Sequence, residues 1–249
     1  MEVTKHAKTN DVIQELFSVG AHFGYTKSRR HPSAKPFIFG VKNRIEIFDL
    51  EKTSGALQEA LDFVSDLGSK SAKILLVGGK NEAREAIRAG AMQIDMPFVA
   101  GRWIGGTLTN FPEIRKRVLK LEMLTSQKEK GELGKYTKKE RLLIDREIDK
   151  LRLYFEGLSL MKELPKAIFV VDSEKESIAV EEAHTIGIPI IALCGSDCDL
   201  KEVDYPIPGN DSSKHSIAFF VNKIARAYQD GTKRAVPNTA SPASSKVAA

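Results

Sequence analysis

The chain has 249 residues, of which 42% are hydrophobic and 29% are charged, so it can bury a substantial core and is too apolar for global disorder. Its two cysteines, Cys194 and Cys198, are too few for a disulfide framework and lack the CxxC spacing of a zinc site, which favours reduced thiols in the cytoplasm. No signal peptide is recognisable, and no apolar run reaches the roughly 20 residues of a membrane span, so we expect no membrane contact.

The first distinctive segment is basic. Residues 24–44 contain six basic residues and no acidic one, with His31, Phe37 and Phe39 among them. Charges of one sign repel each other unless an anion is near, and the overall net charge of +5 also suits an anionic partner. A solvated loop is the alternative interpretation. We favour phosphate binding by Lys27, Arg29, Arg30, Lys35, Lys42 and Arg44.

Short apolar runs then alternate with segments of helical length. This alternation predicts an α/β fold, in which helices cover both faces of a parallel sheet. We expect most of the runs to be buried strands. The runs lie at residues 37–39, 45–50, 73–77, 97–100, 167–172 and 188–193, and the predicted helices at residues 53–68, 81–95, 173–187 and 218–228.

A glycine-rich segment, residues 101–110, separates a predicted strand from the next helical pattern and holds the only tryptophan, Trp103. Glycines let the backbone approach another chain closely. We expect Trp103 to be packed and Arg102 to be a candidate phosphate ligand. The segment does not have the GxGxxG spacing, and residues 78–80 lack the earlier glycine and the following Ser or Thr of a P-loop.

Two helical patterns follow one another between residues 110 and 158, where the alternation predicts a strand. Asn110 and Thr137 are predicted to cap them, and the apolar residues of the second pattern recur with heptad spacing. We predict an antiparallel coiled-coil hairpin (residues 110–158) inserted into an α/β domain (residues 1–109 and 159–230), followed by a disordered tail (residues 231–249). The alternative is that both helices lie flat on the sheet. Lys138 and Lys139 are candidate phosphate contacts on the hairpin, as parts of a nucleic-acid-binding surface.

Catalytic and metal-binding motifs are missing from the sequence. It has neither a GxSxG nucleophile elbow nor an HExxH zinc motif, and the aspartates between residues 197 and 211 lack the ligand order of a calcium loop. We therefore predict a non-catalytic protein with no metal, cofactor or small-molecule substrate. An enzyme or nucleotide-binding regulator on the same type of sheet is the competing interpretation, and a scaffold that binds only proteins is a third.

Five motifs, in order, resemble those of the bacterial small-subunit ribosomal protein two family. They are GAHFG (20–24), KPFIFG (35–40), RWIGGTLTN (102–110), LPKAIFVVD (164–172) and YPIPGND (205–211). The resemblance spans about residues 10–230. It implies a Rossmann-like or flavodoxin-like parallel sheet with an inserted coiled-coil hairpin. The chain departs from the family pattern at Tyr25, where many members have a second histidine.

The resemblance also implies a function. Members are structural constituents of the small ribosomal subunit, bind its 16S-type ribosomal RNA between head and body, and help to seat ribosomal protein one for translation. The implied partners are this RNA and neighbouring small-subunit proteins, on ribosomes in the cytoplasm. No reaction accompanies that role.

Overall fold

A computed structural model of the chain describes residues 11–235. Within this range eight strands and seven helices follow one another. The strands are β1 (Phe23–Thr26), β2 (Ile38–Lys42), β3 (Ile45–Phe48), β4 (Ile74–Val77), β5 (Phe98–Val99), β6 (Ala167–Val171), β7 (Ile190–Cys194) and β8 (Tyr205–Pro208). The helices are α1 (residues 11–18), α2 (Leu50–Ser69), α3 (Asn81–Gln93), α4 (Phe111–Glu129), α5 (Lys138–Phe155), α6 (Ser177–Ile186) and α7 (Lys214–Ala235).

Strands β4 to β8 form a parallel sheet in the order β5-β4-β6-β7-β8. Every residue of β4, β6 and β7 is buried, because α2, α3 and α7 pack on one face while α6 and the end of α5 pack on the other. Burial on both faces explains why these strands are continuous apolar runs. The strand order is that of flavodoxin-like folds, which confirms the predicted fold class.

Two of the predicted strands do not belong to this sheet. The runs at 37–39 and 45–50 were expected among the buried strands, but β2 and β3 pair with β1 in a separate antiparallel sheet of order β1-β3-β2, here called the N-terminal sheet. Asn43 and Arg44 join β2 to β3 with φ values of 52° and 66°. Positive φ at both residues is the geometry of a two-residue type I′ hairpin.

Helices α4 and α5 follow each other without an intervening strand, as the sequence predicts. They pack mainly against each other rather than flat on the strands, and α4 also contacts the turn Glu156–Leu158 beyond α5, so the two helices run in opposite directions. Of the residues predicted to form the apolar seam, Ile144 is half-buried and the others are buried. The buried ones are Ile114, Val118, Leu121, Leu124, Ile148, Leu151, Phe155 and Leu158. Coiled-coil winding and the division into separate domains stay predictions.

The caps of the two helices differ. Thr137 and Glu140 form the predicted capping box, in which the Thr137 backbone N–H donates to Glu140 Oε2 at 2.9 Å. The predicted side-chain cap by Asn110 is wrong, because its side chain makes no capping hydrogen bond.

Helix α7 extends five residues into the segment that was predicted to be a disordered tail. It crosses α2 at a distance that leaves no room for a side chain at Gly231, where a Cβ would collide with the carbonyl oxygen of Ser65. The rest of the predicted tail lies outside the described residues. Of the helices within residues 11–235, none is long and apolar enough to cross a membrane.

Candidate nucleic-acid interface

Five of the six basic residues predicted in segment 24–44 have exposed side chains on or beside the N-terminal sheet. Two lie in the turn Lys27–Arg29 after β1, one in the turn Pro32–Phe37 before β2, and two at the hairpin between β2 and β3. Among the described residues, no carboxylate forms an ion pair with any of the five. These residues are Lys27, Arg29, Lys35, Lys42 and Arg44.

Arg30 has a different environment from the other predicted phosphate ligands. Its Nη1 donates to Oε1 of Glu46 at 2.9 Å, and Glu46 is fully buried on β3. A guanidinium that neutralises a buried carboxylate is not free to neutralise a phosphate as well. Arg30 therefore fastens the basic turn to the sheet. Glu46 lies just beyond segment 24–44, which contains no acidic residue.

The loop that follows β7 holds the basic turns in place. Tyr25 donates its backbone N–H to Ser196 Oγ at 2.9 Å, and His31 donates its backbone N–H to the Ser196 carbonyl oxygen at 2.8 Å. Leu200 donates its backbone N–H to Ser33 Oγ at 3.0 Å. The exposed cations thus project from a backbone that is anchored at the carboxyl ends of the parallel strands.

The N-terminal sheet also exposes large apolar side chains. Phe39 is 81% exposed, and Phe23, Val41 and Ile45 are exposed as well. The ring of Phe23 contacts that of His22 at a tilt of 40°, and His22 stacks on the exposed ring of Phe17. The strand register pairs Val41 with Glu46 and Ile45 with Lys42, so Phe39 and Val41 lie on one face of the sheet and Phe23 and Ile45 on the other. Exposed apolar side chains next to each other on a strand, such as Phe39 and Val41, are typical of a contact with another macromolecule.

The remaining predicted RNA contacts lie in two other places. Arg102 is exposed at the base of the hairpin, in a cavity of about 580 Å³ that Arg84, Arg88 and Arg152 also line. Lys138 and Lys139 are exposed at the far end of α5, which spans roughly 27 Å at the rise of an α-helix. The structure therefore does not bring Arg102 close to Lys138 and Lys139.

The glycine-rich segment is fixed by a residue that the sequence did not indicate. Glu182 of α6 is buried and accepts hydrogen bonds from Trp103 Nε1 at 3.0 Å and from the backbone N–H groups of Gly106, Leu108 and Thr109 at 2.7, 2.9 and 3.1 Å. Burial by itself raises the pKa of Glu182, but these hydrogen bonds outweigh burial and hold the pKa below its ordinary value. The segment is therefore a structural turn.

A buried charged cluster at the carboxyl ends of the parallel strands was also missed. Lys80 Nζ lies 2.5 Å from Asp172 Oδ2, 2.6 Å from Asp211 Oδ2 and 3.2 Å from Tyr25 Oη. In the sequence, residues 78–80 were compared only with a nucleotide loop, and Asp211 was only one of the aspartates that do not fit a calcium loop. The cluster spans the ends of β4, β6 and β8, where ligands bind in many doubly wound sheets.

The pKa shifts in this cluster follow from its composition. Burial lowers the pKa of Lys80, but the carboxylates of Asp211 and Asp172 outweigh burial and raise that pKa above its usual range. Burial also raises the pKa of Asp211 to about 6, against the opposing effect of Lys80. The neighbouring carboxylate of Asp172 adds to the effect of burial, because a proton on Asp211 relieves the repulsion between the two carboxylates.

One set of side chains in the described part of the chain has the geometry of metal ligands. Asp172, Cys198 and Asp211 each offer a donor atom, and these atoms lie within 4.8 Å of one another. The ammonium of Lys80 already contacts both carboxylates and supplies the positive charge that they require. Both cysteines of the chain are buried free thiols.

The chain is similar to known proteins over most of its length. Residues 16–231 match the family model described as ribosomal protein S2. The small ribosomal subunit protein uS2 of Roseiflexus castenholzii is 43% identical over 232 residues, which cover 93% of this chain and 88% of the relative. The proteins of the same name from Sulfurimonas denitrificans and Chloroflexus aggregans are each 41% identical, over 88% and 89% of this chain and over 85% and 93% of their own lengths.

Proposed function

Because the chain belongs to the ribosomal protein S2 family, and is thus a structural constituent of the small ribosomal subunit and not an enzyme, we propose that it binds small-subunit ribosomal RNA through its N-terminal sheet. The observation that carries the proposal is the set of five exposed cations with no ion pair among the described residues. Neutralising phosphates releases condensed counterions, which supplies much of the affinity for nucleic acid. These cations are Lys27, Arg29, Lys35, Lys42 and Arg44.

Phosphate contacts orient a protein on RNA but carry little sequence information. The N-terminal sheet therefore recognises the shape of the folded RNA, and the position between head and body depends on several contacts at once. The hairpin supplies the further contacts: Arg102 at its base and Lys138 and Lys139 at its tip. Contacts that far apart fix an orientation better than one cluster does.

The exposed apolar side chains of the N-terminal sheet suit a protein partner. Phe39 and Val41 gain from leaving water, which favours a partner that covers them with apolar side chains. We assign this surface to the seating of ribosomal protein one. The other partners are neighbouring proteins of the small subunit, and the site of action is the ribosome in the cytoplasm.

Sedimentation of cell lysate tests RNA-dependent assembly. The tagged full-length chain is expected in the small-subunit fractions of a sucrose gradient. A variant with Arg29→Ala, Lys35→Ala and Lys42→Ala is expected to shift toward the top, because it loses three phosphate contacts. If the unmodified chain stays at the top of the gradient, the proposal is wrong.

A matched control removes the same charge elsewhere. Lys70 lies directly after α2, Lys223 and Lys233 lie on α7, and each pairs with a carboxylate of the protein. The variant with all three changed to alanine, here called the paired-lysine control, is expected to sediment with small subunits. Equal loss in both variants would show that net charge, and not the N-terminal sheet, governs assembly.

A further inference from the structure

We propose that Lys80 is a positioning residue for the RNA-binding surface: its buried ammonium fixes the N-terminal sheet on the carboxyl edge of the parallel sheet. The inference rests on the proposed function, since the position of that sheet matters only if it meets RNA. Lys80 itself is 8% exposed, so it contributes no phosphate contact of its own.

The first argument is the place of the cluster in the fold. Lys80 precedes α3 and lies three residues beyond β4, while Asp172 follows β6 directly and Asp211 lies three residues beyond β8. One ammonium therefore joins the ends of three parallel strands. Asp172 and Asp211 are 5% and 1% exposed, so without the ammonium two buried carboxylates would face each other unpaired.

The second argument is the connection to the N-terminal sheet. Lys80 Nζ lies 3.2 Å from Tyr25 Oη and 5.8 Å from the centre of the Tyr25 ring. Tyr25 belongs to β1, and its hydroxyl also lies 2.7 Å from Ser212 Oγ, next to Asp211 in the chain. The ammonium thus holds β1 directly and, through Asp211, holds the loop that contacts β1.

The third argument is that neighbouring attachments converge on the same edge. Asn210, beside Asp211, donates its backbone N–H to the carbonyl oxygen of Ala21 at 2.9 Å, and its Nδ2 donates to the carbonyl oxygen of Gly20 at the same distance. A shift of the loop at Asp211 would therefore move the segment that leads into β1.

The backbone of Asp172 supports the same conclusion. Its φ of 70° is a left-handed conformation that costs free energy for a residue other than glycine. Such a conformation persists only where surrounding contacts enforce it. Here those contacts are the bond to Lys80 and the hydrogen bond that Asp172 Oδ1 accepts from the backbone of Lys175 at 3.0 Å.

Two variants that change the net charge in opposite directions test the proposal. Lys80→Met removes a positive charge and Asp211→Asn removes a negative one, yet both break the same ion pair. Both full-length variants are expected to bind small-subunit ribosomal RNA about tenfold more weakly, a change of about 1.4 kcal/mol. Hydrogen exchange should accelerate in residues 23–48 and stay slow in β6 and β7.

Simple electrostatics makes a different prediction from positioning. If Lys80 and Asp211 act only through long-range charge, Asp211→Asn would tighten RNA binding while Lys80→Met weakens it, with exchange unchanged in residues 23–48. Loss of protection throughout the parallel sheet would show a purely structural role. Faster exchange in residues 23–48 with unchanged RNA affinity would also overturn the proposal. Any one of these three results overturns the positioning proposal.

Tyr25→Phe covers the case in which Lys80→Met does not fold. It removes one hydroxyl and leaves the ion pairs of Lys80 intact. Faster exchange in β1 with weaker RNA binding supports the proposal, and unchanged exchange in β1 contradicts it. If the unmodified chain does not bind the RNA, the proposed function fails, whereas the exchange measurement still reports whether Lys80 holds the sheet.

Discussion

The two sheets of the molecule place the same type of side chain in opposite environments. Phe169 in the centre of the parallel sheet is fully buried, whereas Phe39 in the N-terminal sheet is 81% exposed. Helices cover both faces of the parallel sheet, so its apolar residues stabilise the fold. Phe48 of the N-terminal sheet is buried too, but Phe23 and Phe39 leave their apolar surface in water, which makes them available to a partner.

The largest expected effect is on the free energy of unfolding, when a phenylalanine of each sheet is changed to alanine. Phe169→Ala should lower the free energy of unfolding by about 3–5 kcal/mol, because it leaves a cavity in a packed core. Phe39→Ala should change it by less than about 0.5 kcal/mol, because the ring is exposed. Urea unfolding of both variants measures the difference.

The Phe39→Ala variant also tests the proposed seating of ribosomal protein one. Phe39→Ala is expected to weaken capture of ribosomal protein one by assembled small subunits, while its incorporation into those subunits is retained. A loss of stability similar to that of Phe169→Ala would mean that the N-terminal sheet is as closely packed as the parallel sheet. Unchanged capture would remove the seating role from this surface.

A smaller effect on stability is expected when acid protonates Glu182, which holds the glycine-rich segment before the hairpin. The pKa of Glu182 is lowered from its ordinary value of 4.5 in the folded chain, so its stabilisation is complete above that value and is lost as the pH falls below it. The stabilisation is about 1–3 kcal/mol, since protonation weakens hydrogen bonds to a buried carboxylate. The fluorescence of Trp103, the only tryptophan, should shift to longer wavelength on acidification.

Glu182→Gln provides the control for this titration. The amide cannot ionise, and its NH2 group cannot accept from the donors of the segment. Its fluorescence is therefore expected to be shifted at neutral pH and to vary little between pH 3 and 6. The same acid transition in this variant would show that another group controls the segment.

The sequence predicts the parallel sheet better than it predicts the N-terminal sheet, for a physical reason. Strands such as β4, β6 and β7 are buried on both faces, and continuous apolar runs identify them. The run at 37–39 is also continuously apolar, whereas the run at 45–50 is interrupted by Glu46 and Asp49. Neither pattern shows which sheet the strand joins, because strand pairing depends on residues far away in the chain. β8 was missed because Pro206 and Pro208 argue against a strand, although an edge strand tolerates them.

The candidate functional residues divide in the same way. The unopposed cations of segment 24–44 can be found from the sequence because they are local. The partner of Arg30 could not be identified, since Glu46 reaches it only through the pairing of β1 and β3. The Lys80 cluster and the Glu182 turn each join residues more than 70 positions apart, so no local motif reports them.

The salt dependence of RNA binding tests the role of the N-terminal sheet most directly. For the variant with Arg29, Lys35 and Lys42 changed to alanine, the slope of log affinity against log salt should be shallower than that of the unmodified chain by about 2–3. The paired-lysine control should retain the original slope. Equal slopes for the unmodified chain and the triple variant would contradict phosphate binding by the N-terminal sheet.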